Sequence, residues 1–394
     1  MFMQMKVKTL LRCYLPGFLL LFILLFIYIL ISPRSPLPYP TPKSQTELSQ
    51  IKINQGQNTT SKIVIPMIIH QMWKGTKETL PHELQRWSDG CAVVNKDIVL
   101  KLYTDADLSA FVHSTYPQYK NLFSTLKGVY MADMARVLII YHFGGIYMDL
   151  DFYCHRPFHC LINSLQSTYL SSKPNADNLL VVSAEPVVHA TIFRSKQRVI
   201  IQDFFMCTPK HPFLKWLLDD RQDEYHKQLE LRQLDPSVKF TKGPFSYSID
   251  KDIDRYHAYI RSLRSGQSTD TPKDSESNAR KLAEKIPAHM RQEKSNKHLH
   301  VGHILELPES VLHPLIDQTN SRLYSVCGSR DIPPAAAASC EKVNNKQFFN
   351  PTANTVAVHM WTHIYLTFNM LRTMYSRNIY DGVERALPPT FSCF

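Results

Sequence analysis

The sequence lacks any block of clustered arginines, although its 394 residues carry a formal net charge of +11. The basic residues are spread along the chain and are not interleaved with aromatic residues, so no nucleic-acid-binding module is visible. No internal repeat is visible either, so nothing indicates a repeat architecture. An even spread of positive charge is typical of a protein that works near an anionic membrane or an anionic substrate.

No A-x-A-like cleavage site follows the long apolar run from Tyr14 to Ile31. The run carries no charge and, at about 1.5 Å per residue, is about long enough to cross the ~30 Å hydrocarbon core of a bilayer. A cleaved signal peptide has a shorter apolar core and a small-residue cleavage site. Because the basic residues before the run stay cytoplasmic, the sequence predicts a single-pass type II protein with a signal anchor.

Composition sets the other predicted boundaries. Residues 1–13 are the predicted cytoplasmic tail, 14–31 the transmembrane anchor, and 32–61 a stalk rich in Pro, Ser, Thr and Gln. Residues 62–394 are sufficient for one sizeable lumenal α/β domain. Within it, the stretch at about 264–297 is charged and poor in large apolar residues, which predicts a surface insertion that is at least partly disordered.

Eight cysteines are present, and an oxidising compartment favours disulfides. Those beyond the predicted membrane span allow up to three disulfides and at least one odd thiol, with the pairing left open: Cys91, Cys154, Cys160, Cys207, Cys327, Cys340 and Cys393. A zinc site in "CHRPFHC", Cys154 to Cys160, is unfavourable because so short a segment cannot easily bend four side chains around one tetrahedral ion.

Strand and helix signals alternate along the lumenal part. Strands are predicted in "KIVIPMIIHQMWKG" and at Ile98 to Asp105, Leu179 to Glu185 and Val199 to Met206. A strong helix in "LKGVYMADMARVLIIYHFGG" has Gly144-Gly145 as its stop signal. This order predicts a mostly parallel sheet with both faces covered. Ligands of such sheets collect at the carboxyl ends of the strands.

Two carboxylates stand close together in "FGGIYMDLDFY", Phe143 to Tyr153. The alternation in this run predicts one strand that places Asp149 and Asp151 on the same face, roughly 6–7 Å apart at ~3.3 Å per residue. Like charges this close disfavour each other's ionisation unless a cation lies between them.

A second polar pair lies in the preceding helix. Asp133 and Arg136 are spaced i, i+3 and therefore share a face. Such a pair is ordinary on a helix surface. This helix is apolar nearly all round, however, which implies burial, and buried charges need partners or a function.

The run "YMADMARVLIIYHFGGIYMDLDF" resembles the D-x-x-R … G-G-I-Y-x-D-x-D block of glycosyltransferase family thirty-two. Three further stretches are similar to that family's opening I-H-Q-x-W strand, T-G-P turn and C-terminal A-x-H-x-W segment: "IPMIIHQMWKG", "TKGP" (Thr241 to Pro244) and "AVHMW" (Ala357 to Trp361). The likeness covers about Ile63 to Ile364. A D-x-D alone is weak evidence, whereas four ordered blocks with this spacing are specific.

The resemblance implies a GT-A type α/β fold, that is, a Rossmann-like, mostly parallel sheet with covering helices behind the N-terminal transmembrane helix. It also implies a retaining glycosyltransferase of the Golgi membrane that moves a hexose from a nucleotide-sugar to a glycan or glycolipid acceptor. The expected cofactor is Mn²⁺ or Mg²⁺, which prefer hard oxygen ligands. The likeness of "AVHMW" to the animal galactosyltransferase branch slightly favours a UDP-hexose over GDP-mannose.

The resemblance also implies roles for individual side chains. Asp151 would ligate the metal directly, Asp149 would reach the metal and the ribose, and His359 would be a further metal ligand. The other expected donor contacts are Asp133 and Arg136 on the sugar, Trp73 on the nucleobase, Trp361 beside the diphosphate, and His70. Taken alone, His70 would more often be a core histidine. No catalytic nucleophile is assigned.

The chain departs from the family pattern at two places. Asp203 stands in "IIQDFFMCTPKHPF" where the family often has asparagine, and Thr362-His363 replace its usual C-terminal S-W. Two other functions stay open, a non-catalytic lumenal lectin or scaffold and a D-x-D phosphatase whose first aspartate is a nucleophile. The phosphatase usually has a glycine or small hydroxylated residue soon after the pair, whereas Phe152 and Tyr153 follow here.

Overall fold

The computed structural model describes residues 64–165, 178–235, 237, 248–264 and 302–362. All of them lie within one compact unit, Gln57–Phe394. The predicted tail, anchor, stalk and "TKGP" turn, and the insertion from residue 265 onward, fall outside these ranges and stay predictions. None of the described helices has the length and apolar character needed to span a bilayer.

A central six-stranded sheet has the order β2-β1-β3-β6-β5-β7, and a separate antiparallel pair is formed by β4 and β8. Strand β6 is antiparallel to both of its neighbours, and the remaining pairs of the large sheet are parallel. The predicted mostly parallel sheet is therefore confirmed. The strands are β1 Ile68–Trp73, β2 Val99–Thr104, β3 Gly145–Met148, β4 Phe152–Cys154, β5 Leu179–Ala184, β6 Ile200–Cys207, β7 His303–Leu307 and β8 Ala357–His359.

The described α-helices cover both faces of the large sheet. They are α1 His82–Val94, α2 Asp105–Thr115, α3 Lys120–Thr125, α4 Val129–Phe143, α5 Phe158–Ser164, α6 Val187–Arg194, α7 Pro212–Leu234, α8 Asp250–Arg264, α9 Glu309–Leu312, α10 Ser321–Cys327 and α11 Ala337–Asn344. A 3₁₀ turn begins at Pro117 between α2 and α3. The proline interrupts the helical pattern of this stretch, because it has no N–H to donate to the preceding turn.

Strand β6 shows how the core is divided between the two faces. Phe205 and Cys207 pack into the cluster that contains α4 and α7. Phe204 and Met206 pack into the cluster that contains α5 and Cys91 of α1. Every residue of β6 is buried, as expected for a strand covered on both faces.

The turn from α4 into β3 depends on two glycines. Gly144 has φ 65° and Gly145 φ 85°, which residues with a Cβ rarely adopt. A Cβ on Gly144 would lie 2.7 Å from the ring of Pro209, and one on Gly145 would lie 2.6 Å from the carbonyl oxygen of Ile68. The predicted helix stop is confirmed, and it brings β3 directly beside β1.

The single strand predicted through both aspartates is wrong. β3 ends at Met148, and β4 begins at Phe152 in the other sheet. The N–H of Asp149 still donates to the Asp203 carbonyl oxygen at 2.9 Å, whereas the Asp151 carbonyl oxygen accepts from the N–H of Met360 at 2.8 Å. The chain thus changes sheets between the two carboxylates, because their backbones pair with different strands.

Disulfides link neighbouring elements of the described chain. Cys91 in α1 is bonded to Cys154 in β4, and Cys327 in α10 to Cys340 in α11. Cys160 is disulfide-bonded as well, so "CHRPFHC" is not a zinc site. The described residues also include a free, buried thiol at Cys207.

Candidate active site and metal centre

The two aspartates lie at the carboxyl end of β3, where the sequence predicts a ligand site. His359, at the end of β8, joins them, and ligand atoms of Asp149, Asp151 and His359 all lie within 4.8 Å of one another. β4 and β8 pair antiparallel next to the turn that carries the two aspartates. This pairing brings residues from distant parts of the chain into one cluster.

Asp151 is held by three hydrogen-bonding atoms. Its Oδ1 lies 3.0 Å from Nε2 of His359. Its Oδ2 accepts from both the backbone N–H and the hydroxyl of Thr362, each at 3.0 Å. Burial would raise the pKa of Asp151, but the charge and hydrogen bond of His359, together with Thr362, bring that pKa well below its ordinary value. Asp151 is therefore a carboxylate at neutral pH.

Asp149 has a different environment. The hydroxyl of Tyr147 donates to its Oδ1 at 2.6 Å, and Nη1 of Arg136 lies 3.5 Å from the same oxygen. Burial raises the pKa of Asp149 to about 6; Arg136 opposes this, and the charges of Asp151 and Asp203 add to it. A bound cation would favour the charged form, since opposite charge lowers a carboxyl pKa.

The helix pair belongs to the same charge network. Arg136 lies 3.3 Å from Asp133 and contacts Asp149 on its other side. Arg136 also donates to the carbonyl oxygen of Gln202 and lies over the ring of Tyr147, 4.9 Å from its centroid. Asp133 and Arg136 are both buried, so the predicted burial of this pair is confirmed. Burial raises the pKa of Asp133 to about 6, against the lowering effect of Arg136.

The sequence left two residues of this cluster without a role. Oδ2 of Asp203 lies 2.6 Å from Nε2 of His313 and 3.5 Å from Nδ1 of His359. Asp203 was visible as a lone charge in the apolar strand "IIQDFFMC". His313 gave no signal, because nothing in its local sequence indicates which strand it packs against.

The donor set fits a divalent cation. Within the described chain, Oδ1 of Asp203 and Nδ1 of His359 are buried and have no hydrogen-bond partner, which is costly unless something compensates them. Asp149, Asp151 and Asp203 bring three carboxylates next to His359. Carboxylate oxygens suit Mn²⁺ and Mg²⁺, and imidazole is a common additional ligand of transition metals.

His70 lies elsewhere in the sheet. Its Nδ1 is 3.0 Å from the hydroxyl of Tyr103, and its Nε2 is 3.0 Å from the carbonyl oxygen of Gly144. Burial lowers its pKa to about 3. These contacts fit the core-histidine interpretation and give no support to a donor contact.

The two predicted tryptophans lie in one apolar cluster at the same end of the sheet. Trp73 ends β1, and its indole N–H donates to the hydroxyl of Thr79 at 2.9 Å. Trp361 donates to the carbonyl oxygen of Leu315 at 2.7 Å, and its ring centroid lies 4.2 Å from that of His359. Trp361 thus borders the metal-ligand cluster. Its contact with the diphosphate and the stacking of Trp73 on a nucleobase stay predictions.

Residues 71–171 match the family model described as "Glycosyltransferase sugar-binding region containing DXD motif". This segment is similar to the DXD sugar-binding region of glycosyltransferases. It contains the α4 pair and both aspartates of the turn, whereas His359 and His313 lie beyond it.

Curated relatives match parts of the chain. Inositol phosphoceramide mannosyltransferase 1 of Schizosaccharomyces pombe is 29% identical over 208 residues, which are 50% of this chain and 56% of the relative. The Saccharomyces cerevisiae protein named mannosyl phosphorylinositol ceramide synthase SUR1 is 33% identical over 100 residues, covering 25% of this chain and 26% of the relative. The chain thus spans at most about half the length of these relatives.

Solved structures show a weaker likeness. The galactosyltransferase LgtC, in complex with donor and acceptor sugar analogs, has a TM-score of 0.30 and 9% identity, over 79% of this chain and 96% of that one. The catalytic domain of alpha-toxin from Clostridium novyi has a TM-score of 0.31 and 11% identity, over 81% of this chain and 83% of that one. These scores are too low to transfer any feature of the site.

Proposed function

We propose that this chain is a metal-dependent, retaining hexosyltransferase that moves a sugar from a nucleotide-sugar to a glycolipid or glycan acceptor in the secretory pathway. The observation that carries the proposal is the convergence of Asp149, Asp151 and His359 at a strand end next to the buried Asp133–Arg136 pair. Both pairs lie within the segment that is similar to the DXD sugar-binding region. The predicted signal anchor supports the placement in the Golgi membrane.

Each group of the cluster has a task that its chemistry suits. Asp149, Asp151 and His359 would hold Mn²⁺ or Mg²⁺, which when bound neutralises charge on the diphosphate as the nucleotide departs. The carboxylate of Asp133 accepts hydrogen bonds from sugar hydroxyls. Arg136 donates to the sugar or to a phosphate oxygen through its planar guanidinium group. Burial of the pair strengthens these contacts, because they form in a medium of low dielectric constant.

The relatives' names narrow the substrates to be tested first. Both name transfer of mannose to a phosphorylinositol ceramide, so we propose mannose as the first sugar and an inositol-phosphate lipid as the first acceptor to test. The preference for a UDP-hexose stays a prediction from "AVHMW". A membrane-anchored enzyme would meet a lipid acceptor at the bilayer to which it is bound.

The test is a donor panel with the purified full chain. GDP-mannose, UDP-galactose, UDP-glucose and UDP-N-acetylglucosamine are each incubated with Mn²⁺, with Mg²⁺ and with excess chelator, with and without a phosphorylinositol lipid. We expect transfer or slow donor hydrolysis with one donor and none after chelation. Full activity in excess chelator would contradict the metal role.

The same panel separates the alternative functions. A phosphatase would release phosphate from simple phosphoesters and leave the sugar–diphosphate bond intact. A lectin or scaffold would do neither, although it could still bind sugar. If no donor is hydrolysed or used for transfer while the protein still binds free glycan, the lectin function is favoured.

A further inference from the structure

A line of hydrogen-bonding groups leads from the interior of the sheet to the DXD turn. The hydroxyl of Ser183 lies 2.8 Å from Nδ1 of His313, whose Nε2 lies 2.6 Å from Oδ2 of Asp203. The same Asp203 oxygen lies 3.5 Å from Nδ1 of His359, whose Nε2 lies 3.0 Å from Asp151. Three side chains, Ser183, His313 and Asp203, therefore stand in line behind His359 of the metal-ligand cluster.

The side chains of this line are buried, and strands hold most of them. Ser183, His313, Asp203 and His359 are all more than nine-tenths buried. Ser183 lies in β5, Asp203 in β6 and His359 in β8, so three strands fix the backbone of the line. Groups held by strands keep their geometry better than groups on loops.

The donor and acceptor capacity of each group fixes the direction of the hydrogen bonds along this line. A neutral imidazole has one N–H and one acceptor nitrogen. The carboxylate of Asp203 can only accept, so Nε2 of His313 carries the proton of the contact at 2.6 Å. Nδ1 of His359 faces the same oxygen at 3.5 Å, an ion-pair distance at which no hydrogen bond is formed. Nδ1 of His313 is then the acceptor for the Ser183 hydroxyl. Nε2 of His359 donates to Oδ1 of Asp151 at 3.0 Å, and a bound metal ion would take the place of that proton.

We propose that Asp203, itself oriented by His313 and Ser183, is a positioning residue that fixes the tautomer and ring orientation of His359 for metal binding. This inference rests on the proposed metal site. A metal-ligating histidine commonly donates its other N–H to a carboxylate, and loss of that carboxylate typically weakens metal affinity 10- to 100-fold. Asp203 is thereby assigned a role that the sequence pattern did not give it.

The rival arrangement makes Asp203 and His313 ligands. Ligand atoms of Asp203, His313 and His359 also lie within 4.8 Å of one another. An ion held there would need Nε2 of His313 without its proton, which would break the contact with Asp203 at 2.6 Å. The two arrangements differ in how many ions the chain binds.

The test measures Mn²⁺ affinity and stoichiometry without donor, from the electron paramagnetic resonance signal of free Mn²⁺, on the full chain. The variants are Asp203→Ala, Asp203→Asn and His313→Ala. Asp219→Asn is the matched control, because Asp219 is a buried carboxylate that accepts from the hydroxyl of Tyr119 at 2.5 Å, away from the site. Thermal unfolding is recorded for every variant.

We expect one ion per wild-type chain and a 10- to 100-fold loss of affinity in Asp203→Ala. Asp203→Asn should recover part of that loss, since its amide oxygen keeps a partial negative charge beside Nδ1 of His359. Asp219→Asn should bind Mn²⁺ as the wild type does, even if its melting temperature falls. Affinity should therefore follow the residue at position 203 and not the melting temperature.

Three results would overturn the inference, and they are distinguishable. Unchanged affinity in Asp203→Ala, with tight binding by the wild type, would refute the positioning role alone. Two ions per wild-type chain, one of them lost in His313→Ala, would make Asp203 and His313 ligands. Absence of Mn²⁺ binding by the wild type would refute the metal site of the proposed function, and this inference with it.

Discussion

Two buried histidines of the same sheet show how burial can lead to opposite chemistry. His70 hydrogen-bonds to two neutral groups, the hydroxyl of Tyr103 and the carbonyl oxygen of Gly144. Burial lowers its pKa to about 3, and the positive charge of Lys101 acts in the same direction. Burial would also lower the pKa of His359, but Asp151, Asp203 and Asp149 outweigh it and raise that pKa to about 9.

The difference lies in what each cluster leaves uncompensated. Both nitrogens of His70 have partners, so its region is complete without a ligand. The region around His359 gathers three carboxylates and, among the described residues, leaves Oδ1 of Asp203 and Nδ1 of His359 without hydrogen bonds. Buried charge that is only partly paired is expensive, and active sites are where such cost is commonly retained. The His70 region stabilises the fold. In the His359 region, a bound ligand would compensate the buried charge.

The largest effect is expected from Asp151→Asn. An amide in place of this carboxylate weakens the hold on the cation, so transfer should fall roughly 100- to 1,000-fold while the protein stays folded. The measurement is kcat/KM for the active donor, together with Mn²⁺ affinity. Asp149→Asn should behave similarly, and near-normal turnover in both single variants would show that the pair does not hold a metal.

The second-largest effect is expected from a change at Gly144, in the turn whose carbonyl oxygen contacts His70. Gly144→Ala forces a Cβ into a left-handed conformation against Pro209 and should lower the free energy of unfolding by about 2–3 kcal/mol. The matched control is Gly90→Ala in α1, where a Cβ has nothing within 4 Å. It should stabilise the protein by up to about 1 kcal/mol, since alanine is the better helix former.

Urea unfolding of both glycine variants gives the free energies. Mn²⁺ affinity of folded Gly144→Ala should match the wild type, because this turn lies outside the charged cluster. A tolerated Gly144→Ala would mean that the turn can relax and that the strain argument is wrong.

Arg136→Ala should separate the sugar from the nucleotide. If Arg136 and Asp133 contact the donor sugar, affinity for the nucleotide-sugar should fall about 10- to 100-fold, as for a lost charged hydrogen bond, while free nucleotide binds as before. Asp133→Asn is the milder variant, because it keeps the shape of the side chain. Titrations of both ligands against each variant make the measurement. Equal weakening of the two ligands would show that the pair does not contact the sugar.

The smallest effect concerns the pH dependence of stability. The folded-state pKa of His70 is about 3 against its ordinary 6.5, so between these values the unfolded chain binds a proton that the folded chain does not. The contribution of His70 is therefore complete above pH 6.5 and is lost as the pH falls, by up to about 1.4 kcal/mol per pH unit.

His70→Gln should cost about 1–2 kcal/mol at pH 7, because a buried partner loses its hydrogen bond, and clearly less at pH 5. Urea unfolding of variant and wild type at the two pH values measures this difference. An equal cost at both would contradict a neutral buried His70. Unchanged donor affinity at pH 7 would agree with the core-histidine interpretation, and a large loss would restore the predicted donor contact.

Local sequence determined the parts of the fold that depend on neighbouring residues. The apolar runs gave β2, β5 and β6 within a residue of their observed bounds, and β1 lies inside the longer run "KIVIPMIIHQMWKG". Gly144-Gly145 marked the end of α4, since few other residues adopt that turn, and the apolar surroundings of Asp133 indicated burial. The ligand site at Asp149 and Asp151 could also be predicted, because ligands of such sheets collect at the carboxyl ends of the strands.

Only the tertiary structure decided what those groups contact. Period-two alternation could not show that the chain leaves one sheet after Met148 and enters another at Phe152, because both segments are extended. His359 reaches Asp151 from 208 residues away, and His313 reaches Asp203 from 110. The lowered pKa of Asp151 depends on the distant His359 and Thr362, whereas the raised pKa of Asp149 depends mainly on its burial. Pairing across such separations is set by how the sheets pack, which no local pattern records.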